Sequence, residues 1–187
     1  MRAAIALLCV LFTASVSAAA QAPTTWKGLH FGQTRDLVRA QLSAEGFPVE
    51  TSQEGALQSV SNYSLQLPGT RRTLPLRADF HFTDDGGLMD VTLSLDFAAM
   101  RRINSDLGGD DPMLLFAADH LYRALTDKYG FPLLRRPECD SDAATLAKQP
   151  TTFCSTNWRD TAQSVELNWS THAPRLFIRY QMLAPDL

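Results

Sequence analysis

Leu37-Val38-Arg39-Ala40, five residues, then Gly46-Phe47-Pro48; and again, Leu121-Tyr122-Arg123-Ala124, five residues, then Gly130-Phe131-Pro132. Both copies read as the last turns of a helix, a glycine stop and a proline exit. Glycine adopts the left-handed conformation that closes many helices, and a proline just beyond cannot continue one. Each copy is followed by segments that alternate as strands. The expected fold is therefore α+β: two halves, each a helix followed by about three strands, forming an antiparallel sheet with both helices on one face. The repeated element order reads as an internal duplication of about residues 26–97 and 111–183. Coincidence is the competing explanation, because six identical positions are few.

Outward from these stretches, Thr34 stands where a hydroxyl can cap the first helix, and Asp36 sits in the turn where the helix dipole favours negative charge. Leu37, Val38, Gln41 and Leu42 share one side of that helix. Residues 57–67 alternate imperfectly, with Leu57, Tyr63, Leu65 and Leu67 on one side, and Pro68-Gly69 reads as a turn. Ala78, Phe80 and Phe82 alternate cleanly. A loop at 83–87 follows, and then Met89, Val91, Leu93, Leu95 and Phe97 alternate, which predicts a hairpin. Residues 98–111 read as a connector. Asp111 is the expected cap of the second helix, with Pro112 in its first position. Leu114, Ala118, Leu121, Tyr122, Leu125 and Tyr129 form its apolar stripe. Residues 135–152 read as a long polar loop. Three strands are expected beyond it, burying Val165, Leu167 and Trp169, then Leu176, Ile178, Tyr180 and Met182.

The spacing Gly32-x-Thr34-x3-Val38-x3-Leu42-x3-Gly46-x-Pro48 resembles the opening signature of the BamE/SmpA-type envelope proteins. The wider element order, a helix then antiparallel strands, twice, resembles the β-lactamase-inhibitor-protein fold. The resemblance implies a non-catalytic periplasmic module that binds other proteins through its sheet. The chain lacks the lipid-attachment cysteine of the lipoprotein family: Cys9 lies inside an apolar run, with Leu8 before it.

Met1-Arg2, an apolar run at 3–12 and small residues at 15–22 follow the order of a secretory signal peptide, with the cut expected after Ala20. The apolar run is too short to span a bilayer. Residues 1–20 are then a leader, and 21–187 a single domain in the periplasm or outside the cell. Without Arg2, the 17 Lys and Arg against 20 Asp and Glu leave a formal charge of −4. A mildly acidic chain with no basic tract argues against nucleic acid and anionic lipid surfaces, and no second long apolar run follows the leader. Cys139 and Cys154 are the only cysteines beyond the leader, an even count that reads as a disulfide in an exported protein. Two free thiols or an intermolecular bridge are the alternatives.

No catalytic motif stands out. His30, His81, His120 and His172 are scattered, and no His-x-x-x-His, Cys-x-x-Cys, His-Glu-x-x-His or Gly-x-Ser-x-Gly occurs, so no metal or cofactor is expected. Asp84-Asp85-Gly86-Gly87 lacks the alternating acids and closing glutamate of a calcium loop and reads as a hairpin turn. One constellation remains. The outward neighbours of the buried strand residues are Arg77, Asp79 and His81; Asp90, Thr92, Ser94 and Asp96; Glu166 and Asn168; Arg175, Phe177, Arg179 and Gln181. A solvated sheet face explains them simply. As a binding surface, Arg77, Asp79, His81, Asp90, Asp96, Glu166, Phe177 and Arg179 are the candidates, and Phe177 is the anchor. The expected partner is another periplasmic or envelope protein. Reversing the charges of Arg77 and Arg179 is expected to weaken capture while leaving the fold intact. The rival readings are a small hydrolase using His81 with Asp79, Asp90 or Asp96, and a small-ligand carrier.

Overall fold

The computed structural model describes residues 25–51, 57–67, 70–136, 139, 153–160 and 162–183. Residues 1–20, read as a leader, Pro68-Gly69, read as a turn, and most of the stretch 135–152, read as a loop, lie outside them. The fold is α+β. In chain order the elements are α1 (Arg35–Ala44), β1 (Val49–Thr51), β2 (Leu57–Gln66), β3 (Thr73–Phe82), β4 (Leu88–Leu95), α2 (Phe97–Ile103), α3 (Asp110–Tyr129), β5 (Leu134–Arg135), β6 (Phe153–Arg159), β7 (Gln163–Ser170) and β8 (Arg175–Met182). The eight strands form one antiparallel sheet in the order β1-β2-β3-β4-β8-β7-β6-β5. Each run of four strands follows the chain, and the two runs meet at their last strands, β4 and β8.

Alternation sets the inner face. Ala78 and Phe80 on β3, Val91 and Leu93 on β4, Ile178 and Tyr180 on β8, and Val165, Leu167 and Trp169 on β7 are buried. Val38 and Leu42 of α1, Met100 of α2, and Met113, Leu114, Ala117, Leu121 and Leu125 of α3 join them in one cluster. The ring of Tyr122 lies 5.9 Å from that of Trp158 on β6, and the Trp158 indole N–H donates to the Gly130 carbonyl at 3.0 Å, which fixes the end of α3 over the sheet.

The glycine stop of α1 has a physical cause on both sides. Gly46 takes φ +84°, its N–H donates to Ser43, and the N–H of Phe47 donates to the Leu42 carbonyl at 2.9 Å. That is the paired hydrogen-bond closure for which a left-handed residue is needed. At the other end, Gly32 takes φ +82° and donates to the Leu88 carbonyl at 2.8 Å, and a Cβ on Gly87 would come within 3.3 Å of the Gly32 Cα. The two glycines thus let the entrance of α1 lie against the β3–β4 hairpin.

Several local expectations are corrected. Thr34 holds the capping position of α1, but its side chain makes no capping hydrogen bond; its backbone is bridged to Gly87. Leu37 is 57% exposed, so only Val38 and Leu42 anchor that helix. A register shift between Val60 and Tyr63 adds one residue to β2, and Val60 is the buried residue in line with Tyr63 and Leu65. A second shift at His81 and Phe82 pairs Leu88, not Met89, with Phe82. One extra residue flips the parity of everything beyond it. Phe97 does not extend β4: it opens α2, whose remaining residues occupy the start of the stretch read as a connector. α3 starts at Asp110 with Gly109 in the cap position and no side-chain cap, so Asp111 does not cap it. Pro112 is still tolerated there, because the first turn has no use for its N–H. The loop read from residue 135 is preceded and entered by β5, a two-residue edge strand. Met182 is 38% exposed and leaves the inner set.

Candidate functional site

The face of the sheet opposite the core carries the polar partners of the alternation. The registers line up Ser59, Asp79, Thr92, Arg179, Glu166 and Asn157 across six strands, from β2 to β6. His81, Asp90 and Gln181 form the neighbouring line on one side, and Arg77, Ser94, Phe177 and Asn168 that on the other.

These side chains form three linked groups. Arg77 donates through Nε to Asp79 at 2.9 Å and through a terminal nitrogen to Ser59 at 2.9 Å, while the Ser59 hydroxyl donates to Asp79 at 2.7 Å. The hydrogen-bonded Asp79 carboxylate holds the Arg77 guanidinium above its ordinary pKa. Arg179 donates to Asp90, and Thr92 donates to the other Asp90 oxygen at 2.9 Å. Asn157 donates to Ser164 at 3.0 Å and to Glu166 at 3.3 Å, and Asn168 reaches Glu166 at 3.4 Å. Asp90 is fully buried although it lies on the outward face, because Arg179 and its strand neighbours cover it. Arg179 is therefore a structural partner. Reversing its charge would set a carboxylate against a buried carboxylate, so the expectation that an Arg77 and Arg179 double reversal spares the fold is withdrawn.

Of the eight candidate binding residues, seven share this face: Arg77, Asp79, His81, Asp90, Glu166, Phe177 and Arg179. Asp96 does not. It is the N-cap of α2, where its carboxylate accepts the Ala99 N–H at 2.9 Å. The structure adds Ser59 and Asn157. The break in alternation at Val60 and Tyr63 hid Ser59; the spacing of Cys154, Thr156 and Trp158 on the inner side of β6 would have revealed Asn157. His81 and Asp90 are directly paired in the sheet, but the Asp90 carboxylate is engaged by Arg179 and Thr92. Among the described residues no hydrogen bond joins His81 to an aspartate.

Elsewhere, a depression of about 240 Å³ lies between Thr34, Arg35 and Asp36 at the start of α1 and Asp84, Asp85 and Gly86 of the hairpin loop. Among the described residues, no three His, Cys, Asp or Glu side chains are grouped to hold a metal ion, and no helix is long and apolar enough to cross a membrane. Cys139 and Cys154 form a disulfide. No family model, curated protein or solved structure matches the chain.

Proposed function

We propose that this is an exported periplasmic protein that binds another macromolecule through the outward sheet face and does no chemistry itself. An inhibitor, an immunity protein or an envelope accessory factor fits that description. One observation carries the reading. On this face Ser59, Arg77 and Asp79, then Asp90, Thr92 and Arg179, then Asn157, Glu166 and Asn168 are held by each other, so little of their side-chain entropy is lost when a partner docks. Phe177 supplies a partly buried aromatic in the midst of them. The signal-peptide pattern of residues 1–20 supports export, and the Cys139–Cys154 disulfide fits an oxidising compartment. The mirrored strand order of the two sheet halves supports duplication of one helix-and-strands unit.

The test is capture from envelope extract by the tagged chain lacking residues 1–20. A variant with His81→Ala and Phe177→Ala, shown to be folded by circular dichroism, is run beside it. Specific capture by the parent and loss in the variant is the expected result. Equal capture by both would move the binding site away from His81 and Phe177.

A further inference from the structure

The outward face is electrically divided. Among the described residues, its charged side chains over β1–β4 are Glu50, Asp79 and Asp90 against Arg77; over β6–β8 they are Arg159, Arg175 and Arg179 against Glu166, with Arg136, just past β5, over the ring of the outward Phe153. The Asp90–Arg179 pair cancels across the seam. That leaves Arg136, Arg159 and Arg175, all exposed, against Glu166, a net excess of two positive charges on the second half among the described residues. Among the described residues neither Arg159 nor Arg175 forms an ion pair, and the Arg136 guanidinium lies 5.5 Å from the Phe153 ring. The same half exposes apolar side chains: Leu134 is 62% exposed and Phe153 39%, and Phe177 on β8 is partly buried.

We infer that the β5–β8 half of the face, with Leu134, Phe153 and Phe177 set among Arg136, Arg159 and Arg175, binds an extended acidic segment of a partner protein. This rests on the binding role proposed above and names the partner's chemistry. Aromatic residues and arginine are the side chains most enriched in protein interfaces. Size argues for a segment. From β8 to β5 is three strand spacings, roughly 14 Å, and from Phe153 to Arg159 is six residues, roughly 20 Å. A footprint on the order of 300 Å² is well under the ~800 Å² per partner of a standard interface, which is too small to hold a second copy of this chain. Charge distribution argues against a long polyanion. A nucleic acid or an anionic bilayer would overrun the patch and meet Glu50 and Asp79, on a chain whose net charge is −3. A short acidic segment stays within the positive half. Among the described residues β5 is the last strand of the sheet, a position at which an added strand could pair.

The test is an amide chemical-shift titration of the whole chain with a synthetic peptide alternating glutamate and leucine. A lysine–leucine peptide is the control. Shifts are expected at residues 134–136, 153–159 and 175–179, weakening as salt rises. Arg159→Glu with Arg175→Glu, both at exposed positions, should lower the affinity at least tenfold. No shift at millimolar peptide, shifts centred on other residues, or equal binding of the lysine peptide would overturn the inference. So would a concentration-dependent dimer that the double variant abolishes, since a second copy would then occupy the patch. The capture experiment separates this inference from the broader reading. Capture lost with His81→Ala and Phe177→Ala but kept with the two arginine reversals rejects the acidic segment and retains the face. Capture kept by both variants rejects both.

Discussion

The guanidinium of Arg179 on β8 closes over the carboxylate of Asp90 on β4, joining two residues 89 positions apart across the seam of the sheet. Thr92 donates a second hydrogen bond to Asp90, and the aspartate is buried. Removing one partner leaves a buried carboxylate without its cation. Arg179→Ala should therefore destabilise the fold by about 1–3 kcal/mol, the smaller figure applying if water reaches the gap. Arg179 is 40% exposed, so some water entry is expected. Arg179→Glu should cost more, and Asp90→Asn less, since the amide keeps the volume and sheds the charge. Urea midpoints read the order directly. An unchanged midpoint for Arg179→Ala would show that the pair contributes nothing.

The anchoring of α3 is testable against a nearby contrast. Leu121 is 1% exposed and Leu37 of α1 is 57% exposed. Leu121→Ala should cost about 2–5 kcal/mol through lost burial and the cavity left behind. Leu37→Ala should stay within about 0.5 kcal/mol, as surface substitutions do. Similar losses in both would mean that α3 does not hold the core.

The Cys139–Cys154 bridge closes a loop of sequence separation 15. The chain-entropy model assigns such a loop roughly 3 kcal/mol, a large share of the margin of a domain. Thiol titration of the unfolded, unreduced chain lacking residues 1–20 should find no thiol. Cys139→Ser with Cys154→Ser should lower the urea midpoint accordingly. Two reactive thiols per chain would refute the bridge, and a dimer band lost on reduction would place it between molecules.

Tyr180 lies on the inner face of β8. Burial pushes its phenol well above the ordinary value of 10.0, and the neighbouring Tyr129 and Tyr63 phenols add to the shift. The native state keeps this proton where the unfolded chain has lost it. The contribution to stability is therefore complete below about pH 10 and falls as pH rises above that value toward the folded-state pKa. Thermal midpoints should decline through this alkaline range, and Tyr180→Phe should flatten the decline. Equal slopes in the two proteins would assign it to other groups.

Val38 and Leu42, Leu121 and Leu125, and the alternating sets at 78–82, 165–169 and 176–180 could all be read in the chain, because each pattern is written within one helical turn or one strand. The two cysteines could be paired on their count and the signal-peptide pattern alone. Only the folded sheet decided the rest. The added residue in β2 buries Val60, and the slip at Phe82 selects Leu88 over Met89; both depend on the partner strand, which local periodicity does not record. Asp96 left the binding face because its carboxylate meets the backbone N–H of Ala99 once the chain turns into α2. Asp90 looked like a solvated residue of an outward strand, and it is buried because β4 and β8 are neighbours. No stretch of sequence states that adjacency. It arises when two strands from opposite halves of the chain pair, and the pairing then settles which charges on the face are committed to the fold and which remain for a partner.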